Sequence, residues 1–169
     1  MSRKLQHPFD PIYDEHSEIL ILGSFPSPNS RGDGFYYGDK GNRFWSVLSE
    51  ICDSPSPTTK DEKTRLLLEN RIALWDIVGE CDYFEGAADN DIKNPMFNDI
   101  CGIIVKSKIR RVICNGKKTY DLFEAYKKEK GLDIETARLN STSAANCRNC
   151  SYDMLLAEWK RSIRGVETR

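Results

Sequence analysis

Histidine is scarce in this chain. His7 and His16 are the only two in 169 residues, and both lie in the N-terminal segment. No histidine falls in a loop that follows an apolar run, and no GxSxG is present, so Ser-His and Cys-His nucleophiles are disfavoured. Long apolar runs are missing too; none reaches the roughly 18 residues that a membrane-spanning helix needs. The first residues, MSRKLQHPFDPIYDEHSE, carry charges and no apolar stretch. A secretory leader is therefore not expected, and a cytoplasmic location is. There is no excess of either charge, with 25 Lys and Arg against 26 Asp and Glu. That balance excludes a histone-like protein and an acidic solvating tail, but it leaves room for a local basic stripe on nucleic acid. The six cysteines supply a single CxxC, Cys147 and Cys150. A zinc site takes four ligands, usually as two such pairs, so a metal site is not expected. No repeat or low-complexity segment divides the chain, and its length suits one domain over residues 1–169.

What the chain does have is an alternation of short apolar runs and amphipathic stretches. Residues 18–23, EILILG, read as a buried strand closed by Gly-Ser-Phe-Pro. A helix is expected over 42–51, with Phe44, Trp45, Val47, Leu48 and Ile51 on its apolar side. The connector DSPSPTT over 53–59 leads to a second helix at 60–70. Strands follow at 72–78, 111–114 and 136–139, and helices at 98–107, 117–130 and 152–163. Gly131 is placed to end the helix before it. Strands alternating with helices predict an α/β fold with a mainly parallel sheet.

In such sheets ligands bind beyond the carboxyl ends of the strands. Here those ends are Gly23-Ser24-Phe25-Pro26, Asp76, Asn115-Gly116 and Asn140-Ser141-Thr142-Ser143. The loop after the first strand is the longest, GSFPSPNSRGDGFYYGDKGNRFW. Its glycines do not have dinucleotide-fingerprint spacing, and Gly116-Lys117-Lys118-Thr119 is not a phosphate loop. The loop sets Phe25, Phe35, Tyr36 and Tyr37 beside Asn42. Aromatic faces stack on nucleobases and amides read their edges. The same aromatics also suit core packing, most clearly Phe44 and Trp45.

Several segments together resemble the uracil-DNA glycosylase superfamily. They are Leu22-Gly23-Ser24-Phe25-Pro26-Ser27, Gly34-Phe35-Tyr36-Tyr37-Gly38, Asn42-Arg43-Phe44-Trp45 and Ala73-Leu74-Trp75-Asp76-Ile77-Val78. Asn98-Asp99-Ile100, Asn115-Gly116 and Leu139-Asn140-Ser141-Thr142-Ser143-Ala144-Ala145-Asn146 extend the likeness to about residues 18–160. The nearest branches are the hypoxanthine-DNA (DNA-deoxyinosine) and the mismatch-specific uracil-DNA glycosylases. The resemblance implies a three-layer α/β/α sandwich around a four-stranded parallel sheet. It also implies a monofunctional enzyme, without metal or cofactor, that flips a deaminated base out of DNA and hydrolyses its N-glycosidic bond. Hypoxanthine is the first-choice base, with uracil or xanthine next. The chain departs from the pattern at three places: Phe25 stands where uracil-removing branches carry Asp or Asn, Asp39-Lys40 replace a His-Pro, and Asn140 and Ala144 replace prolines.

By the same resemblance, Asn42 supplies the catalytic amide, which would hold and orient the attacking water. Asp39, a carboxylate three residues away, is by its own chemistry a candidate base or cation stabiliser. Gly23, Ser24, Phe25, Pro26 and Tyr37 would bind the base, with Tyr37 stacking on it. Ser27, Ser141, Thr142, Ser143, Asn146, Arg148 and Lys117 would hold DNA. Residues 145–149 would enter the minor groove, with Arg148 as wedge or phosphate contact. The expected partner is DNA carrying a deaminated base, bound by a monomer. Two other readings remain open at this point: a nucleic-acid-binding module of the same fold without catalysis, and an N-glycoside hydrolase of free nucleosides or nucleotides. A flavodoxin-like domain with an unrelated ligand is the blandest option.

Overall fold

The computed structural model describes residues 2–84 and 92–165. Strand β1 (Ser2–Gln6) leads to β2 (Ile19–Gly23) and then to a six-residue helix, α1 (Pro28–Asp33). Helices α2 (Phe44–Ile51) and α3 (Lys60–Glu69) precede β3 (Ile72–Asp76), β4 (Val78–Phe84) and β5 (Lys93–Phe97). The rest runs α4 (Ile100–Val105), β6 (Arg111–Asn115), α5 (Lys117–Lys130), β7 (Glu135–Leu139), a 3₁₀ turn (Ala144–Asn146) and α6 (Tyr152–Arg164).

The expected four-stranded parallel sheet is present, in the order β3-β2-β6-β7. Strands β2, β3 and β6 are short apolar runs because both faces are covered, while the edge strand β7, ETARL, is only partly buried. On β2, Ile21 faces the α2, α3 and α6 side together with Ile72, Leu74 and Ile113. Leu20 and Leu22 face the α4 and α5 side with Ala73, Val112 and Cys114. These are the two cores of a three-layer sandwich. The helices stop and start where local chemistry allows. Thr59 caps α3 by accepting the Glu62 N–H, while the Glu62 carboxylate accepts from the Thr58 N–H. Gly131 ends α5 at φ +64°, with its N–H on the Lys127 carbonyl. No helix among the described residues is long and apolar enough to cross a membrane.

Two features depart from expectation. The single strand expected over 72–78 is two: β3 ends at Asp76, and β4 opens at Val78 in a separate sheet. That second sheet is antiparallel, in the order β1-β4-β5. Its edge strands are SRKLQ and KNPMF, rich in charge and carrying a proline, which suits edges but hides them from a pattern search. The long loop after β2 also contains α1, capped by Ser27 with Pro28 in its first turn and ended by Gly34 at φ +78°.

Candidate active site

A cavity of about 440 Å³ opens at the carboxyl ends of the parallel strands. Every residue expected at the site lines it except Arg148, which is exposed on the turn after the 3₁₀ segment.

The aromatic wall is built by the first loop. Tyr36 is in the core, 2% exposed, and its hydroxyl donates to the Asp10 carbonyl at 2.7 Å. The Trp45 indole N–H donates to the Tyr36 carbonyl at 3.0 Å. Tyr37 then takes φ +54°, unusual for a bulky residue, which sends its ring the other way. One face of that ring lies on Phe44, with centroids 4.1 Å apart and planes at 21°, leaving the opposite face for a ligand. The Tyr37 hydroxyl sits over Gly23; a Cβ there would meet it at 2.9 Å and Asp76 Oδ1 at 2.4 Å, so this strand end has to be glycine. Burial, reinforced by the charge on Asp76, pushes both phenols far above their usual range. Both therefore stay neutral.

Asn42 joins the two ends of the cavity. Its Oδ1 accepts the Phe44 N–H at 2.9 Å and the Thr142 hydroxyl at 2.9 Å. A main-chain N–H can only donate, so the amide orientation is set, and Nδ2 is the group that keeps donors for the cavity. Thr142 is itself held by Asn115: Asn115 Nδ2 donates to Oγ1 at 3.0 Å, and Asn115 Oδ1 accepts the Thr142 N–H at 3.0 Å. Asn115 Nδ2 also reaches the Tyr37 hydroxyl at 3.3 Å. Arg43 completes the junction through its guanidinium, which donates to the Cys150 carbonyl at 2.7 Å and to Ser141 and Ser143 carbonyls at 3.5 Å. Segments 100 residues apart in sequence are thus held in one network.

Asp39 lies at the rim, half-buried, with Oδ2 accepting the Ser27 hydroxyl at 2.6 Å. Ser27 also accepts the Ser30 N–H as the cap of α1. Among the residues expected to hold DNA, Ser141 and Ser143 order the turn through the Ser143 and Ala145 N–H groups. Asn146 donates to the Ser141 carbonyl at 3.1 Å. Lys117 is exposed and paired with Asp121 at 2.6 Å. Asn140 spends its N–H on Glu158 at 2.7 Å, a bond that a proline in its place could not make.

Sequence reasoning missed a pair at the back of the cavity. His7 Nε2 lies 2.7 Å from Asp76 Oδ2, with side chains only 3% and 5% exposed. The expectation that both histidines stay away from the strand ends is therefore overturned for His7. His16 remains outside, exposed beside Glu15. Asp76 was visible as a charged end to an apolar run, but its partner is 69 residues away and left no local signal.

No family model matches the chain. Two curated relatives do. A hypoxanthine DNA glycosylase of Methanosarcina acetivorans is 36% identical over 83% of this chain and 87% of its own length. One of Methanosarcina barkeri is 35% identical over 83% and 88%. The solution NMR structure of a candidate uracil DNA glycosylase from Methanosarcina acetivorans superposes with a TM-score of 0.80 at 33% identity, covering 99% of this chain and all of that one. With this identity over most of its length, and with the sandwich and cavity described above, the chain belongs to the hypoxanthine DNA glycosylase family of DNA glycosylases.

Proposed function

We propose that this DNA glycosylase, acting as a monomer, takes hypoxanthine out of DNA, with uracil or xanthine as secondary substrates. The observation that carries the reading is the Asn42–Thr142 junction, which brings the long first loop and the 140–146 turn to one cavity at the strand ends. Extruding a base costs a few kcal/mol, least at a mispair, so a deaminated base is the cheapest to extract. The flipped base stacks on the open face of Tyr37 and meets the main chain of Ser24 and Phe25, with Gly23 and Pro26 shaping the slot. Cleavage proceeds through an oxocarbenium-like sugar. Asn42 Nδ2 donates to the attacking water, whose position it sets. A water held that way has its hydrogens free, and Asp39 accepts the proton as the water attacks. Ser141, Ser143, Asn146 and Arg148 hold phosphates, Lys117 does so by exchanging its Asp121 partner, and residues 145–149 fill the gap in the duplex.

The test is a single-turnover gel assay with alkali to reveal abasic sites. Its substrates are duplexes carrying one hypoxanthine, uracil or xanthine opposite each normal base. Nicking chiefly at hypoxanthine is expected. Nicking at uracil alone means Phe25 does not exclude uracil chemistry and the base assignment is wrong. Tight binding with no nicking at any base would make the protein a binding module.

A further inference from the structure

We propose that Asp76, held by His7, is a fixed hydrogen-bond acceptor that selects bases presenting a ring N–H, with His7 as its positioning residue. The inference rests on the proposed base-excision reading and names how that site tells hypoxanthine from adenine and uracil from cytosine.

The small antiparallel sheet converges on Asp76. His7 follows β1 directly, and its N–H donates to the Gly79 carbonyl on β4 at 2.8 Å. Asn98, just past β5, donates to the Asp76 and Val78 carbonyls at 2.9 and 3.3 Å. All three strands thus brace one residue. The His7 ring cannot swing aside. It stands edge-on to Phe9 and Phe25, with centroids 5.7 and 5.8 Å away. Its Nδ1 either accepts the Phe9 N–H at 3.2 Å or donates to the Phe9 carbonyl at 2.8 Å, so the ring is satisfied whether neutral or charged. In both cases Nε2–H donates to Asp76 Oδ2.

Oδ2 is thereby committed, and Oδ1 is left over Gly23 inside the cavity, beside the Tyr37 hydroxyl. A carboxylate oxygen only accepts. Hypoxanthine and uracil carry a ring N–H next to a carbonyl. Adenine and cytosine carry a bare ring nitrogen, itself an acceptor, at the same place. Deamination of adenine or cytosine converts that acceptor into a donor, and a fixed acceptor reads the conversion directly; guanine and xanthine both carry the N–H and are not told apart by it. Two buried acceptors facing each other leave both unpaired, a penalty that corresponds to about tenfold to a hundredfold in affinity.

Binding is measured by fluorescence anisotropy on duplexes whose non-hydrolysable 2′-fluoro nucleotide is deoxyinosine or deoxyadenosine. The nucleotide sits opposite a base-free position, so that pairing does not contribute. A duplex with a tetrahydrofuran abasic analogue reports folding and backbone contacts. The native chain is expected to prefer deoxyinosine by at least about tenfold. His7→Phe is expected to lose most of that preference with abasic affinity unchanged, and His7→Gln, which keeps an N–H donor, to retain it. Full preference in His7→Phe overturns the proposal, as does equal loss in His7→Gln, which would mean that ring packing is what matters. Should His7→Phe fail on the abasic duplex, the similarly sized Asp76→Leu, which has no acceptor, decides, with retained preference overturning the proposal. A native chain that shows the preference but never cleaves deoxyinosine sinks the proposed activity and leaves the acceptor supported.

Discussion

Two carboxylates line one cavity and are held in opposite ways. Asp39 sits at the rim, half-buried, on a single hydroxyl from the neighbouring turn. Asp76 sits at the back, 4% exposed, against an imidazole delivered by a separate sheet. A group that is to take up a proton needs access to water and a loose hold. A group that is to read a base edge needs the reverse. On the proposed roles, the site would separate the two tasks by environment rather than by residue type, the general way in which paired acids acquire different roles.

The strongest way to break this comparison is at the back. Asp76→Ala removes the base-facing acceptor and strands His7, which is 3% exposed, without its partner. Breaking a buried pair by deleting one member costs about 3–5 kcal/mol. Urea denaturation is expected to show that loss, and cleavage of a hypoxanthine duplex to fall with it. Unchanged stability would mean that the pair is not held as tightly as its geometry implies.

Asn42→Ala comes next and acts between the two carboxylates. It removes the proposed donor for the water and the link from Phe44 to Thr142. A loss of about 10²–10³ in single-turnover rate is expected, comparable to removing one preorganised donor, along with about 1 kcal/mol of stability from the lost bonds. A variant at full rate would remove Asn42 from the mechanism.

At the rim, Asp39→Asn keeps shape and loses basicity. The expected rate loss is about 10²-fold, typical of a general base, with stability changed by no more than about 0.5 kcal/mol, as for an ordinary surface substitution. Equal stability losses for Asp39→Asn and Asp76→Ala would erase the distinction between rim and back.

The difference between the two regions also governed how readable they were. The parallel sheet announces itself through ILILG, IALWD and RVIC, because strands buried on both faces must be apolar throughout. The strand-end rule pointed to Asn115 and Thr142, and the resemblance to Asn42; hydrogen bonds join the three. The small sheet pairs Ser2 with Phe84 and Gln6 with Glu80, contacts with no local periodicity. His7 was invisible for the same reason. Composition alone did not separate Tyr36 from Tyr37, and only the resemblance singled out Tyr37; in the structure the positive φ at Tyr37 sends one into the core and the other to the cavity. Ser27 looked like a phosphate contact because a serine in a turn serves many partners equally well, and its bonds to Asp39 and to the first turn of α1 need coordinates to be seen.

Ser27 gives the smallest and sharpest of the tests. Ser27→Ala leaves the Asp39 carboxylate in place but frees it to rotate, and removes the cap of a six-residue helix. The cap is worth about 1 kcal/mol. A rate loss of only about three- to tenfold is expected, since a misdirected base still functions part of the time, as the distance dependence of positioning effects implies. Ser27→Thr, which retains a hydroxyl able to make both bonds, is expected to restore the rate. If Ser27 instead acts as a phosphate contact, Ser27→Ala weakens binding to an abasic duplex, while the salt slope stays the same because no charge is removed. Intact abasic binding with a slowed single-turnover rate assigns Ser27 to Asp39. Weakened binding with an unchanged rate at saturating enzyme assigns it to the DNA backbone, and leaves the rim carboxylate without a partner that matters.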